Sequence, residues 1–280
     1  MEKGLLMNDK ISVIMAVYNC EKTVEKAIDS ILSQTYQNWV MIICDDGSTD
    51  GTMEIVRRYE ANYPGKFVII QNEKNSKLPY SLNHCLQYVQ TDLVARMDGD
   101  DWSTPDRFEK QVAYLTAHPE CDLVGTGIAV SDGEKTLTTI VQPAMPVPED
   151  MLKITCFSHA TIMTYKRVYD ALEGYSLDPS VERCEDLDLW FRFFEKGFCG
   201  RNIPDCLYYI LEDTNAVKRR DLKNRLNTAK TLMMGYKRLG LHGFACYKKA
   251  YLQVLLYFLP IGLYKKLHIW KITQRTNRNK

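Results

Sequence analysis

"ISVIMAVYNCEKTVEKAIDSILSQTYQNWVMIICDD", residues 11–46, carries the alternation that sets the fold. Ile11 to Val17 is a short, mostly apolar run without regular polar alternation, as in a strand covered on both faces. Val24, Ala27, Ile28, Ile31 and Leu32 follow at i, i+3, i+4, i+7 and i+8, the spacing of one buried helical face. Trp39 to Asp46 is strand-like again and ends on two aspartates. A strand, a helix and a second strand in close succession make a right-handed βαβ unit with parallel strands.

The alternation continues outward from this unit. "GSTDGT" offers Ser48, Thr49 and Asp50 as caps for a second helix. Phe67 to Gln71 is a third strand, Pro79 opens a helix carrying Leu82, Leu86 and Val89, and "DLVARMD" (92–98) is a fourth strand. After Pro105, a helix is marked by Phe108, Val112 and Leu115. Asp122 to Val130 reads as strand, Ser131 to Lys135 as turn, 141–150 with its prolines as loop, and Ile154 to Tyr165 as strand. Glu185 to Lys196 reads as a helix stopped by Gly197. The fold class is therefore α/β: a Rossmann-like, mostly parallel central sheet flanked by helices. Such sheets bind ligands beyond the carboxyl ends of their strands. Asp45/Asp46 and Asp98/Asp100 stand at two such ends.

The 280 residues suffice for one or two domains. The net charge of +1 conceals an asymmetry: Leu222 to Lys280 contains no Asp or Glu and holds 13 of the 36 Lys and Arg. The first 221 residues carry a net −12. An acidic body with a basic tail points the tail toward something anionic, a membrane surface or nucleic acid; nothing else favours nucleic acid. "YLQVLLYFLPIGLYKKLHIWK" (251–271) is too short an apolar run to span a bilayer, which needs about 20 residues. It suits an interfacial helix or a helix packed on the domain. The nine cysteines form no C-x-x-C pair and read as reduced core thiols of a cytosolic protein. The N-terminus lacks the apolar core of a signal peptide.

Asp98-Gly99-Asp100 points two carboxylates to one side of an extended segment. That is a seat for a hard divalent cation such as Mg²⁺ or Mn²⁺, or a solvated turn with capping aspartates. Asp101 and Asp106 are expected to cap the helix after Pro105. Glu185 and Asp186, at the start of their helix, either complement its dipole or supply a general base. Trp102 stacks on a ligand or packs in the core.

Five motifs then appear in order: "SVIMAVYN" (12–19), "AIDSILSQTYQNWVMIICDDGSTDGT" (27–52), "RMDGDD" with "PDRF" (96–108), "HATIM" (159–163) and "EDLDLWFR" (185–192). Together they resemble the family-2 glycosyltransferases of the GT-A fold, found in bacterial capsule, exopolysaccharide and lipopolysaccharide assembly. The resemblance covers roughly residues 11 to 210. It implies that Ala16, Val17, Tyr18 and Asn19 approach a nucleotide and that Asp46 contacts its base. It implies that Asp100 ligates Mn²⁺ or Mg²⁺ directly, with Asp98 nearer the ribose or the metal's water shell. Asp186 matches the base of inverting members. Glu185, Trp190 and Arg192 match positions near donor and acceptor; His159 matches a histidine before T-x-M and is either an acceptor-side contact or a packed core histidine. Ala16 departs from the proline or threonine common there, and the absence of Q-x-x-R-W points to single addition rather than processive synthesis.

The resulting expectation is an inverting, metal-dependent transferase using a nucleotide-diphosphate sugar, UDP-linked by resemblance, and a glycan or lipid-linked acceptor. It would be cytoplasmic, touching the inner face of the membrane through 247–280. The expected organisation is a GT-A domain over 1–221, with a donor half (1–101) and an acceptor half (102–221), and a helical, basic extension over 222–280. Two rivals are a nucleotidyltransferase, disfavoured because "AVYNCEKT" has no glycine-rich phosphate loop, and a catalytically inactive GT-A-fold module at the membrane. The missing G-x-G-x-x-G also disfavours a Rossmann oxidoreductase.

Overall fold

The computed structural model describes residues 9–153, 155–212 and 221–258. The first half is the expected wound unit: β1 (Ile11–Val17), α1 (Val24–Leu32), β2 (Trp39–Asp45), α2 (Thr52–Asn62), β3 (Phe67–Gln71), α3 (Leu78–Gln87) and β4 (Leu93–Arg96). The second half holds β5 (Trp102–Ser103), α4 (Arg107–Ala117), β6 (Leu123–Ser131), β7 (Thr136–Ile140), β8 (Met163–Tyr165), α5 (Lys166–Ala171), α6 (Glu185–Glu195) and β9 (Gly200–Leu211). Two helices, α7 (Leu222–Arg238) and α8 (Phe244–Leu255), form the C-terminal extension.

The strands make one sheet in the order β3-β2-β1-β4-β8-β6-β9-β5, with β7 paired to β6. β3, β2, β1 and β4 are parallel; β8 runs antiparallel between β4 and β6. Side chains alternate across β1. Ile11, Val13 and Met15 face one core with α1, α2 and α4; Ile14 faces the other with α3, α5 and α6. Burial on both faces is why these strands read as continuous apolar runs.

Two stretches differ from expectation. Of the strand expected over Ile154 to Tyr165, the described residues 155–165 are strand only over Met163–Tyr165. His159–Thr161 is instead a single 3₁₀ turn, with the Thr161 hydroxyl and N–H donating to the Ser158 carbonyl. The apolar side chains Phe157, Ala160 and Ile162 are buried all the same. The long β9 was not foreseen, because Pro204 and Asp205 interrupt its pattern. It runs parallel to β6 through two register shifts. At Gly127 a Cβ would lie 2.9 Å from the Pro204 carbonyl oxygen, so only glycine lets the bulged strand pass.

α7 packs on α6 at Gly235, where a Cβ would sit 2.1 Å from the Phe191 ring. α8 buries Cys246 and Ala250, and Lys249 Nζ donates to the Met151 carbonyl at 2.7 Å. Its other side exposes Phe244, Tyr247, Tyr251, Leu255 and, just past its end, Phe258. Residues 259–280 of the expected membrane segment lie outside the described residues. No helix among the described residues is long and apolar enough to cross a membrane. All nine cysteines are free thiols, and Cys44, Cys85, Cys121, Cys156, Cys184 and Cys246 are buried.

Candidate functional site

The carboxyl ends of β1, β2 and β4 open onto two adjoining cavities. One, of about 740 Å³, is lined by Val17, Tyr18, Asn19, Asp98, Gly99 and Asp100 among others. The other, of about 540 Å³, is lined by Tyr18, Asp46, Ser76, Lys77, Arg183 and Glu185 among others. Tyr18 and Leu78 belong to both walls, and Tyr18 is 49% exposed.

The loop after β1 is latched to the loop after β2. Asn19 takes a left-handed backbone (φ 50°), which Asn tolerates better than most residues. Its N–H donates to Ser48 Oγ at 3.0 Å, and its Oδ1 accepts from the Thr49 N–H at 2.8 Å. Of the three capping candidates, Asp50 does the work on α2, accepting from the Thr52 N–H at 3.1 Å and its hydroxyl at 2.6 Å. Asp45 is fully buried and holds the turn through the Ser48 N–H and the Gln71 amide. Asp46 lines the second cavity, but its carboxylate is already engaged. It accepts from Asn72 Nδ2 and from the N–H groups of Ser76 and Lys77, each at 2.8 Å. These bonds fold 72–77 into the cavity wall and hold Lys77 in a left-handed conformation (φ 73°).

At the end of β4, carboxylate oxygens of Asp98, Asp100 and Asp101 all lie within 4.8 Å of one another. Asp101 is a correction to the expectation that it caps α4. It is 5% exposed, accepts from the Leu211 N–H at 3.1 Å, and meets the Tyr208 hydroxyl, so it binds the cluster to β9. Burial, then the charges of Asp98 and Asp100, push its pKa up to about 8. Asp106 sits at the N-cap of α4, paired with Lys110 at 2.9 Å. Three carboxylates brought this close offer hard oxygen ligands and repel one another, which fits a divalent cation that would offset the repulsion.

The residue behind this cluster is Arg96, 2% exposed in the middle of the sheet. Its guanidinium grips Asp98 with both nitrogens, at 2.6 and 3.2 Å. Its charge also reaches Glu185, Asp186 and His159. A second buried arginine, Arg107, braces the strand from behind, donating to the Arg96 carbonyl at 2.8 Å and to Ser103 Oγ at 3.0 Å. The signal for Arg96 was present: an arginine inside "LVARMD" has no apolar partner to match.

Glu185 and Asp186 begin α6. Glu185 lines the second cavity, and its Oε2 is buried without a hydrogen-bond partner among the described residues. Asp186 is half-buried and accepts from the Leu187 N–H. Burial raises both pKa values; the neighbouring Asp186 charge adds to the effect at Glu185.

Trp190, Arg192 and His159 are held by protein contacts. Trp190 is fully buried, edge-on to Phe157 at 5.0 Å and to His159 at 5.9 Å. Arg192 donates from Nε to Asp188 and from Nη1 to the carbonyls of Leu172 and Gly174, tying α6 to the turn after α5, while its Nη2 is buried without a partner among the described residues. His159 is held by the Tyr175 hydroxyl at 2.8 Å; burial, then the Arg96 charge, keeps it neutral, well below the usual histidine pKa. Trp102 lines neither cavity but stacks on Tyr209 at 5.2 Å under the Lys26 ammonium.

Comparisons with known proteins agree with this geometry. Residues 12–171 match the model of Glycosyl transferase family 2. A Bacillus subtilis (strain 168) protein named as glycosyltransferase EpsE is 46% identical over 232 residues, covering 83% of this chain and 84% of that one. The O-antigen biosynthesis glycosyltransferase WbnJ of Escherichia coli is 32% identical over 208 residues, covering 73% and 80%. The crystal structure of Staphylococcus aureus TarS 1–349 in complex with UDP-GlcNAc superposes with a TM-score of 0.68 at 16% identity, over 89% of this chain and 72% of that one. The matched segment starts in β1 and ends with α5, so it takes in both aspartate clusters and the strands that carry them. This chain belongs to glycosyltransferase family 2, on the GT-A fold.

Proposed function

We propose that the protein transfers one sugar, with inversion, from a UDP-sugar to a glycan or lipid-linked acceptor in the assembly of a cell-surface polysaccharide. The observation that carries this reading is the convergence of two acidic groups on joined cavities. The Asp98–Asp100–Asp101 trio opens on one, and Glu185 of the Glu185–Asp186 pair lines the other. The polysaccharide context rests on relatives such as WbnJ, and the uridine nucleotide on the TarS complex.

In this reading, Asp98 and Asp100 hold Mn²⁺ or Mg²⁺, which when bound would neutralise the diphosphate leaving group. Arg96 fixes Asp98 for that task. Tyr18 offers an exposed ring to the base, and Val17 and Asn19 line its approach, next to Ala16. Asp46 reaches a base by exchanging hydrogen bonds it now accepts from 72–77. Asp186 accepts the proton from an acceptor hydroxyl as that oxygen bonds to the anomeric carbon. The carbon–diphosphate bond breaks with its electron pair on the departing nucleotide. Attack from the face opposite the leaving group inverts the centre. Burial makes Asp186 a stronger base than a solvated carboxylate, and Glu185 Oε2 accepts from a second sugar hydroxyl.

Membrane contact through 247–280 finds support in the exposed apolar face of α8 and in the absence of acidic residues after Asp221. In this reading the enzyme works on the cytoplasmic side, next to a lipid-linked acceptor.

Calorimetric titration of UDP, GDP, CDP and TDP, with and without Mn²⁺, tests the donor site. UDP should bind only with metal, and Asp100→Asn should lose that binding. Equal binding without metal, or in the variant, removes the metal–diphosphate role from Asp100.

A further inference from the structure

A third cavity, of about 620 Å³, lies between α3 and α5. Tyr80 and Leu177, both exposed, line it and also line the Glu185 cavity, so the two adjoin at these side chains. Tyr80, His84 and Gln87 face it from α3 at i, i+4 and i+7; Lys166, Asp170 and Glu173 face it from α5 and the following turn at the same spacing. Facing stripes on neighbouring helices are ordinarily apolar and interdigitated. Here they are polar, and they stand apart around a cleft.

The unengaged groups have a consistent chemistry. Neither the Gln87 amide nor the Glu173 carboxylate has a hydrogen-bond partner among the described residues. His84 Nδ1 lies 2.9 Å from Asn72 Oδ1. The Asn72 amide nitrogen is committed to Asp46 and Ser81, so its oxygen must accept and His84 Nδ1 must donate. That tautomer leaves Nε2 as an acceptor. Lys166 and Asp170 pair with each other, at 2.6 Å, which leaves Glu173 as the one unpaired charge among the described residues of the cleft. An exposed tyrosine ring beside several neutral or acidic acceptors and an amide suits the apolar face and the hydroxyl edges of a pyranose.

We infer that the α3–α5 cleft is a second carbohydrate subsite, binding a sugar unit of the acceptor remote from the one that reacts. This deepens the proposed transferase reading by making its acceptor an oligosaccharide that runs from the Glu185 cavity past Tyr80 and Leu177.

The test uses the full chain and glucose, N-acetylglucosamine and the chito-, malto-, cello- and laminari-tetraoses as probes, followed by NMR at His84 and Gln87. At least one tetraose should perturb these signals at a concentration about tenfold below its monosaccharide. Gln87→Trp, which plugs the cleft from an exposed position, should abolish that gain, and Glu173→Gln should weaken it about threefold. Uridine diphosphate binding should stay unchanged in both. No length preference, or equal tetraose binding in Gln87→Trp, overturns the subsite. Cleft binding without any nucleotide binding keeps the subsite and sinks the donor assignment; nucleotide-dependent transfer without length preference does the reverse.

Discussion

An arginine in a buried strand is costly unless its charge and all its donors are engaged. Arg96 meets most of that demand through Asp98, and in doing so orients one arm of the acidic trio. Removing one partner of such a pair costs about 3 kcal/mol. Arg96→Met should therefore lower the melting temperature by several degrees and activity by at least about 100-fold. Arg96→Lys should recover part of the stability but little activity, because an ammonium cannot grip both carboxylate oxygens. Thermal melts beside initial rates check both.

Asp186 shows how function and stability pull apart at one side chain. Burial holds its folded pKa above the unfolded value. Ionised Asp186 thus opposes folding. The stability it contributes is whole below the ordinary carboxylate range and is lost as pH rises through the raised pKa. Asp186→Asn should remove turnover, by about 1000-fold or more, while melting no lower than the parent at pH 7; the difference should vanish in acid. The wild-type pH–rate profile should fall on its acid side above the range of a solvated carboxylate. A variant that is active, or that melts lower only at neutral pH, contradicts the assignment.

At the scale of elements, β1 to β4 and their helices were legible because each strand is buried on both faces and each helix has one apolar face. β9 was not, because its pairing rests on Gly127 and a bulge around Pro204, a contact between distant backbones that no local pattern shows. The aspartates were legible as a set, yet Asp101 was misassigned. Its nearness in sequence to Pro105 suggested a cap, whereas β9 brings the Leu211 N–H to it. Trp190 and Arg192 sit in a recognisable motif, but the helix turns them into the core and toward the 172–174 turn. Gly235 gives this scale its own prediction. A methyl there meets the buried Phe191 ring, so Gly235→Ala should destabilise by about 1–3 kcal/mol, the usual range for overpacking. The loss should appear as early hydrogen exchange in α7 and α8, with the sheet protected.

For the whole molecule, the proposed membrane contact would use the charge asymmetry between the acidic body and the basic extension. Under the proposed membrane contact, α8 would lie on the surface with its exposed Phe244, Tyr247, Tyr251 and Leu255 inserted. Replacing Phe244 and Leu255 by Ser should weaken binding to phosphatidylserine-containing vesicles by roughly 1.5–3 kcal/mol per side chain at full burial. Raising the salt should weaken the wild type too. Sedimentation with vesicles reads both, and unchanged partition in the double variant would mean that α8 is not the contact.

The free cysteines make the protein its own stopwatch. Their buried sulfurs are distributed through the architecture: Cys246 in α8, Cys184 at the head of α6, Cys121 before β6, Cys44 and Cys85 between β2 and α3. An alkylating reagent can mark each one only while its own element is open. Peptide mapping after timed exposure would therefore rank the opening of α8, α6, β6 and the β2–α3 layer in a single sample of the unmutated protein. If α8 is the loosest element, Cys246 should be labelled long before Cys44, and bound vesicles should slow that first label alone.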